Sequence, residues 1–285
     1  MIGKMLRLLR PKQWFKNLFV LVPLIFSKTF TDPLCVIKAF GAFVCFIAIS
    51  SSIYILNDII DIEKDRLHET KRFRPLASGE VSIGSAVILM IVLLISGLAV
   101  AFLINPFTVL CMVAYIIMNI LYTLFLKKIV ILDIMIIAIG FVIRVIAGAV
   151  AIKVYISSWV LLCSFFIALC LAAGKRKTEK ASLQESSTRH RKVLSYYTDE
   201  FLKGLIQISI TGTTITYSLY TILEYDVQSP MITILFVVFG LFRYMQLVFE
   251  DNEGRLPEEL ILSDKPLLFS IFLFGAAWII IFLTL

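Results

Sequence analysis

The chain has 285 residues, 60% of them hydrophobic and 16% charged, with a formal net charge of +7. Soluble domains carry about one-quarter charged residues. The composition, with a mean hydropathy of +0.95, therefore excludes an ordinary soluble enzyme and indicates a polytopic membrane protein.

A helix needs about 20 mostly apolar residues to cross the hydrocarbon core. Nine stretches qualify: 15–31, 34–56, 83–104, 106–126, 130–151, 157–174, 201–223, 230–249 and 266–284. They leave little room for a soluble module, so residues 1–285 are expected to form a single all-α integral membrane domain. With the N-terminus inside, 23 Lys and Arg residues fall on the cytoplasmic side, against Lys28, Lys38 and Lys153 on the other. This places the N-terminus in and the C-terminus out. The basic start followed by an apolar run suits a signal peptide, but no small-residue cleavage site follows, so 15–31 is read as the first span.

The first span opens with Gln13-Trp14-Phe15-Lys16-Asn17. Lys16 is either a snorkelling anchor beside an interfacial Trp or a ligand for an anionic substrate. The second span runs into Asn57-Asp58-Ile59-Ile60-Asp61-Ile62-Glu63-Lys64-Asp65-Arg66. At about 100° per residue, Asn57, Asp58, Asp61 and Asp65 share one helix face and Glu63 points elsewhere. Like charges so spaced repel, and a hard divalent cation such as Mg²⁺, shared with substrate phosphates, relieves the repulsion. The bland alternative is a solvated helix end with an accidental acidic face. The basic run Lys71-Arg72-Phe73-Arg74-Pro75 follows at once, and carboxylates for a metal beside cations for phosphate oxygens fit a polyphosphate site.

Further along, Tyr122 precedes Lys127 at the end of the fourth span. Arg144, mid-way through the fifth, is expected to face the bundle interior and to pair with a carboxylate or a substrate. Asp133 lies about three turns away on that helix, too far to be relied on as its partner. The sixth span ends in Gly174-Lys175-Arg176-Lys177-Thr178-Glu179, and the connection from 175 to 203 holds eight basic residues. Lys175 and Arg176 abut the span and are the better placed to face a site among helix ends. The five cysteines lie in or beside apolar segments with no CxxC pair, and His68 and His190 form no ligand pattern. A disulfide framework or thiolate metal site is thus not indicated.

These residues resemble the UbiA superfamily of intramembrane prenyltransferases: Asn57 to Asp65 matches its first NDxxDxxxD motif, and nine spans is its usual architecture. Ordinary members carry a second acidic DxxxD motif after the sixth span, where this chain has the basic GKRKTE. The departure is similar to one branch, the decaprenyl-phosphate phosphoribosyltransferases. The likeness runs through RPKQWFKN at 10–17, NDIIDIEKDR and KRFRPLASG within 57–79, LYTLFLKK at 121–128 and LDIMIIAIGFVIRVIAGAVA at 132–151. It continues through AAGKR at 172–176, SYYTDEFL at 195–202, FRYMQLV at 242–248 and LILSDKPLL at 260–268.

The resemblance implies a UbiA-like bundle of nine transmembrane helices in the bacterial plasma membrane, with its active site at the cytoplasmic face. It implies Mg²⁺-dependent transfer of 5-phosphoribose from phosphoribosyl diphosphate (PRPP) to a polyprenyl phosphate of decaprenyl type, releasing diphosphate toward cell-wall arabinan synthesis. Asn57, Asp61 and Asp65 would hold the metal, with Asp58 in support. Lys16, Arg66, Lys71, Arg72, Arg74, Lys127, Arg144, Lys175 and Arg176 would contact the anionic substrates, with Tyr122 as a neutral donor. The partners are these two substrates and the bilayer, and no nucleic acid is expected. Two other readings stay open. One is a prenyltransferase acting on a small aromatic acceptor. The other is a transporter with a divalent-cation site, which should show polar residues in paired broken helices at mid-membrane.

Overall fold

The computed structural model describes residues 2–67, 70–184, 192–250, 255 and 257–284, so His68 and His190 lie outside the described residues. Among the described residues every regular element is helical. The chain divides into two compact units, residues 1–127 with 140–156, and residues 128–139 with 157–285.

The first unit begins with α1 (Ile2–Leu8), a 3-10 segment Pro11–Leu21 and α2 (Val22–Phe26). The long α3 (Pro33–Ile60) follows, then α4 (Ile62–Arg66), α5 (Ile83–Ile104) and α6 (Pro106–Leu124). Helix α7 (Leu132–Ile152) gives its C-terminal part to this unit. The starts of the long helices are written in the sequence. Asp32, Ser82 and Asn105 cap α3, α5 and α6 through their side chains, each satisfying an N–H with no intrahelical partner. Pro33 and Pro106 sit where the missing N–H costs nothing. Asn105 also donates to the Val150 carbonyl at 2.6 Å, which ties the start of α6 to α7. The core is Val20, Ala42, Cys45, Phe46, Ile49, Ala101, Met112, Tyr115, Ala147 and Ala151. Along α5, Ile88, Val92, Ile95 and Leu103 stay exposed, the pattern of a face that meets lipid.

The second unit contains α8 (Ser158–Gln184), α9 (Asp199–Leu223), α10 (Thr233–Glu250), α11 (Pro257–Ser263) and α12 (Lys265–Thr284). Helix α8 packs along α9, where the ring of Phe166 lies against Gly212 with no room for a side chain. Its core includes Cys170, Ala173, Ile206, Ile210, Tyr244, Val248, Leu260 and Leu267. All five cysteines are free thiols, and Cys45, Cys163 and Cys170 are buried, as packing residues should be.

Among the described residues seven helices are long and apolar enough to cross a membrane, which makes this a multi-pass protein. They correspond to the second to sixth, eighth and ninth predicted spans. The predicted first span, 15–31, is not one helix. It is broken into 3-10, α and 3-10 pieces, because Pro23 has no N–H to give the Phe19 carbonyl and Val22 supplies a tighter bond to it instead. The predicted seventh span does form a helix, α9. Its buried Ser209, Thr213 and Thr216 bond back to the carbonyls of Leu205, Ser209 and Gly212, and this Ser/Thr content keeps it out of the strongly apolar set.

Candidate active site

Helix α3 ends at Ile60 and α4 begins at Ile62, yet the backbone ladder carries across the joint. Asp61 N–H donates to the Asn57 carbonyl at 3.0 Å, and Asp65 N–H to the Asp61 carbonyl at 2.8 Å. The i, i+4 spacing of Asn57, Asp61 and Asp65 is thereby preserved, as the 3.6-residue period requires. Asp58 and Asp65 are buried, while Asn57 and Asp61 are half-buried. Glu63 points away and pairs with Arg66 at 2.8 Å on the exposed side.

The chain's own cations offset the repulsion among these carboxylates. Arg74 Nη1 bridges two of them, at 3.0 Å from Asp58 Oδ1 and 2.6 Å from Asp65 Oδ2. Arg10 also donates to Asp58, and its guanidinium lies 5.1 Å from the centre of the Tyr54 ring. Lys127 Nζ sits 3.0 Å from Asp61 Oδ2, and Lys64 Nζ 3.4 Å from Asp61 Oδ1. Burial opposes the charge on Asp61, but the hydrogen bond and charge of Lys127, helped by Lys64, outweigh it and hold this carboxyl below the usual aspartate range. Asn57 Oδ1 accepts from Thr123 Oγ1, on the last turn of α6.

Asn57, Asp58, Asp61, Asp65, Arg74 and Lys127 thus form one connected patch within the first unit. Arg66 turns out of it to Glu63 and to the Ala77 carbonyl at 3.4 Å. Arg72 is exposed, its guanidinium 4.8 Å from the centre of the Phe73 ring. Lys71 begins the short 3-10 turn Lys71–Phe73, and Tyr122 lies half-buried on the last turn of α6. Lys16 is half-buried in the 3-10 segment, with Nζ 6.0 Å from the centre of the Phe15 ring. Among the described residues no three His, Cys, Asp or Glu side chains form a ready-made metal cluster. The expected set has only two carboxylates and an amide.

Arg144 faces the interior, as expected, but pairs with no carboxylate among the described residues. Its Nε donates to Asn17 Oδ1 at 2.8 Å, Nη1 to the Gly140 carbonyl at 3.0 Å and Nη2 to the Tyr115 hydroxyl at 2.7 Å. The rings of Phe46, Tyr115 and Phe141 lie 4.7–5.9 Å from its guanidinium carbon. Such a cage suits a cation held in low dielectric without a counter-ion.

In the second unit Arg176 is fully buried, with Nε 2.7 Å from Asp133 Oδ2 and Nη1 2.5 Å from Glu179 Oε2. Tyr197 donates to Asp133 Oδ1 at 2.5 Å and accepts from the Ile131 N–H at 2.7 Å. Burial first, then the bond to Asp133, push the Tyr197 phenol up, so it stays neutral. Arg176 therefore meets protein carboxylates at both of these bonds. Lys175, next to it, is half-buried.

Arg10, Thr123, Asp133 and Tyr197 fall inside the stretches of family likeness, but nothing in the sequence signals their contacts, which join positions 48 to 66 apart.

Residues 18–263 match the UbiA prenyltransferase family. The chain belongs to that family. It is 33% identical over 284 residues to the decaprenyl-phosphate phosphoribosyltransferase of Mycolicibacterium smegmatis, covering 94% of this chain and 88% of that protein. To the decaprenyl-phosphate phosphoribosyltransferase of Corynebacterium glutamicum it is 34% identical, covering 92% of this chain and 82% of that one. A UbiA homolog from Archaeoglobus fulgidus, solved bound to DMAPP and Mg²⁺, shares the fold with a TM-score of 0.76 at 21% identity, covering 99% of this chain and 100% of that one. The family expected from the motif at 57–65 is therefore the family found.

Proposed function

We propose that this UbiA-family enzyme transfers 5-phosphoribose from phosphoribosyl diphosphate to a polyprenyl phosphate of decaprenyl type, releasing diphosphate. The observation that carries this reading is the interleaving of oxygen donors and cations in one patch: Asp61 with Lys127, and Asp65 with Arg74. The relatives that this chain matches along nearly its whole length bear the name of that activity. The likeness to a UbiA homolog bound to a prenyl diphosphate supports the fold, and aromatic prenyl transfer remains the second reading.

The donor set fits a hard divalent cation, because Asn57, Asp61 and Asp65 offer only oxygen. When bound there, Mg²⁺ would neutralise the charge that builds on the departing diphosphate. The chain's own residues do the rest. Lys127 and Lys71 are the cations for phosphate oxygens, with Tyr122 a neutral donor on the last turn of α6, while Arg74 stays on Asp58 and Asp65. The two substrates together bring on the order of six negative charges, which only a basic patch can gather. The nucleophile, a phosphate oxygen, is already ionised at neutral pH, so no general base is needed. Single displacement inverts the anomeric centre. We place the site at the cytoplasmic face of the plasma membrane, in a nine-span arrangement with the N-terminus inside, on the strength of the basic-residue asymmetry.

Membranes containing the protein are incubated with radiolabelled phosphoribosyl diphosphate and polyprenyl phosphate. A labelled lipid of inverted anomeric configuration is expected. No labelled lipid, together with prenylation of an aromatic acid, would overturn the proposal in favour of the second reading.

A further inference from the structure

Each motif carboxylate is already neutralised by a side chain, but not to the same degree. Asp58 and Asp65 are enclosed, at 3% and 7% side-chain exposure, and share Arg74. Asp61 is more open, at 22%, and its inner cation is Lys127, at 13%. Lys64, the other cation on Asp61, is 78% exposed and contributes little through solvent screening.

An ammonium at 3.0 Å from Asp61 Oδ2 and 3.4 Å from Oδ1 covers both oxygens that a metal would use. A divalent cation at Asp61 must push Lys127 away, and a mostly enclosed ammonium without an anion is costly. Diphosphate arriving with the metal removes that cost, because its oxygens accept the displaced ammonium. Resting on the metal reading above, we infer that Lys127 is an exchangeable counter-cation, which holds Asp61 until a divalent cation and diphosphate bind together and then moves to the phosphate. Metal and diphosphate are then positively coupled, and by linkage each tightens the other. Arg74 cannot act in this way, since it is fixed between two carboxylates, one of which also holds Arg10.

The test uses purified full-length protein in detergent and reads bound Mn²⁺ from the loss of the free-ion EPR signal, with no phosphate present. Lys127→Met is expected to bind Mn²⁺ about tenfold tighter than wild type. Lys127→Arg, which keeps a cation on Asp61, is expected to match wild type, and Asp61→Asn to lose the site. In saturating Mg²⁺ the sign reverses: calorimetry is expected to show diphosphate binding Lys127→Met about tenfold more weakly. Lys127→Gln carries the same comparison if Lys127→Met fails to fold. Asp61-dependent Mn²⁺ binding that is equal or weaker without Lys127 overturns the exchange and leaves the metal reading standing. Absence of Asp61-dependent Mn²⁺ binding in wild type and variant alike overturns the metal reading, and the exchange with it.

Discussion

Arg176 donates through Nε to Asp133 at 2.7 Å, and both side chains are almost completely enclosed, at 1% and 0% exposure. An arginine so placed is a structural cation before it is a substrate ligand. Removing one member of a buried pair strands the other at about 3–5 kcal/mol. Arg176→Met is therefore expected to lower the thermal midpoint of the detergent-solubilised protein sharply. The double variant Asp133→Leu with Arg176→Met is expected to recover most of that loss, since replacing both partners by apolar groups is often near neutral. A phosphate-binding arginine would show no such recovery in stability, and the two cases separate in a simple melting series.

Asp58 and Asp61 stand three residues apart in one motif but face different tasks. Asp58 is 2% exposed and saturated by Arg10 and Arg74, so its charge ties α1's end, α3 and the 70–75 stretch together. Asp58→Asn is expected to destabilise by about 1–3 kcal/mol, the scale of a lost buried polar bond. The Mg²⁺ concentration needed for half-maximal residual activity is expected to stay put. Asp61→Asn is expected to do the opposite to activity, with about a hundredfold or greater loss of turnover and a loss of the Mg²⁺ dependence, while its thermal midpoint falls only by the loss of the pairing with Lys127. Metal titrations of both variants, run beside thermal melts, check the division.

The contrast shows what the sequence could disclose. The phase of Asn57, Asp61 and Asp65 was readable because the i, i+4 hydrogen bonds persist through Asp61, and a 3.6-residue period is a local property. The caps at Asp32, Ser82 and Asn105 are equally local. The break in 15–31 was hidden because an average over apolar residues gives no weight to Pro23. The neutralising contacts were not legible, since Arg10 reaches Asp58 across 48 positions and Arg176 reaches Asp133 across 43. Tertiary packing alone brings such residues together. Arg144 is the intermediate case: its inward direction followed from the cost of a charge in lipid, while its neutral cage of Asn17, Tyr115 and Gly140 did not.

Acid sensitivity offers a separate check on the Asp61–Lys127 pair. The Asp61 carboxyl is held below the usual aspartate value, about 3.9 in the unfolded chain. The stability this contributes is fully present above that value and is lost as pH falls through the lower folded one. Lys127→Met removes the main charge-favouring contact and leaves burial, which acts in the other direction. The gap in thermal midpoint between wild type and Lys127→Met is therefore expected to be widest near pH 7, to narrow as pH falls into the ordinary aspartate range and to close as pH falls through the lower folded value. Melts across pH 3–8 at fixed salt measure it, and a gap that does not change with pH would sink the account.

The close approach of the broken first segment to α7 leads to a last expectation. A Cβ added at Gly148 would lie 2.0 Å from the Val20 carbonyl oxygen and 2.9 Å from its carbonyl carbon. Both are backbone atoms, so no rotamer change relieves the clash and the whole 3-10 segment must move off α7. That segment carries Asn17, which holds Arg144 at 2.8 Å and Ser50 at 3.1 Å. Gly148→Ala is thus expected to cost well over the ~1 kcal/mol by which alanine favours a helix over glycine, reversing the sign of an ordinary Gly→Ala change. At Gly84, where a Cβ meets nothing within 4 Å on α5, the same substitution is expected to be neutral or stabilising. Comparing the two variants by thermal melting and by yield of monodisperse protein tests whether the tight seam at Val20, and not glycine content in general, sets the packing of this segment.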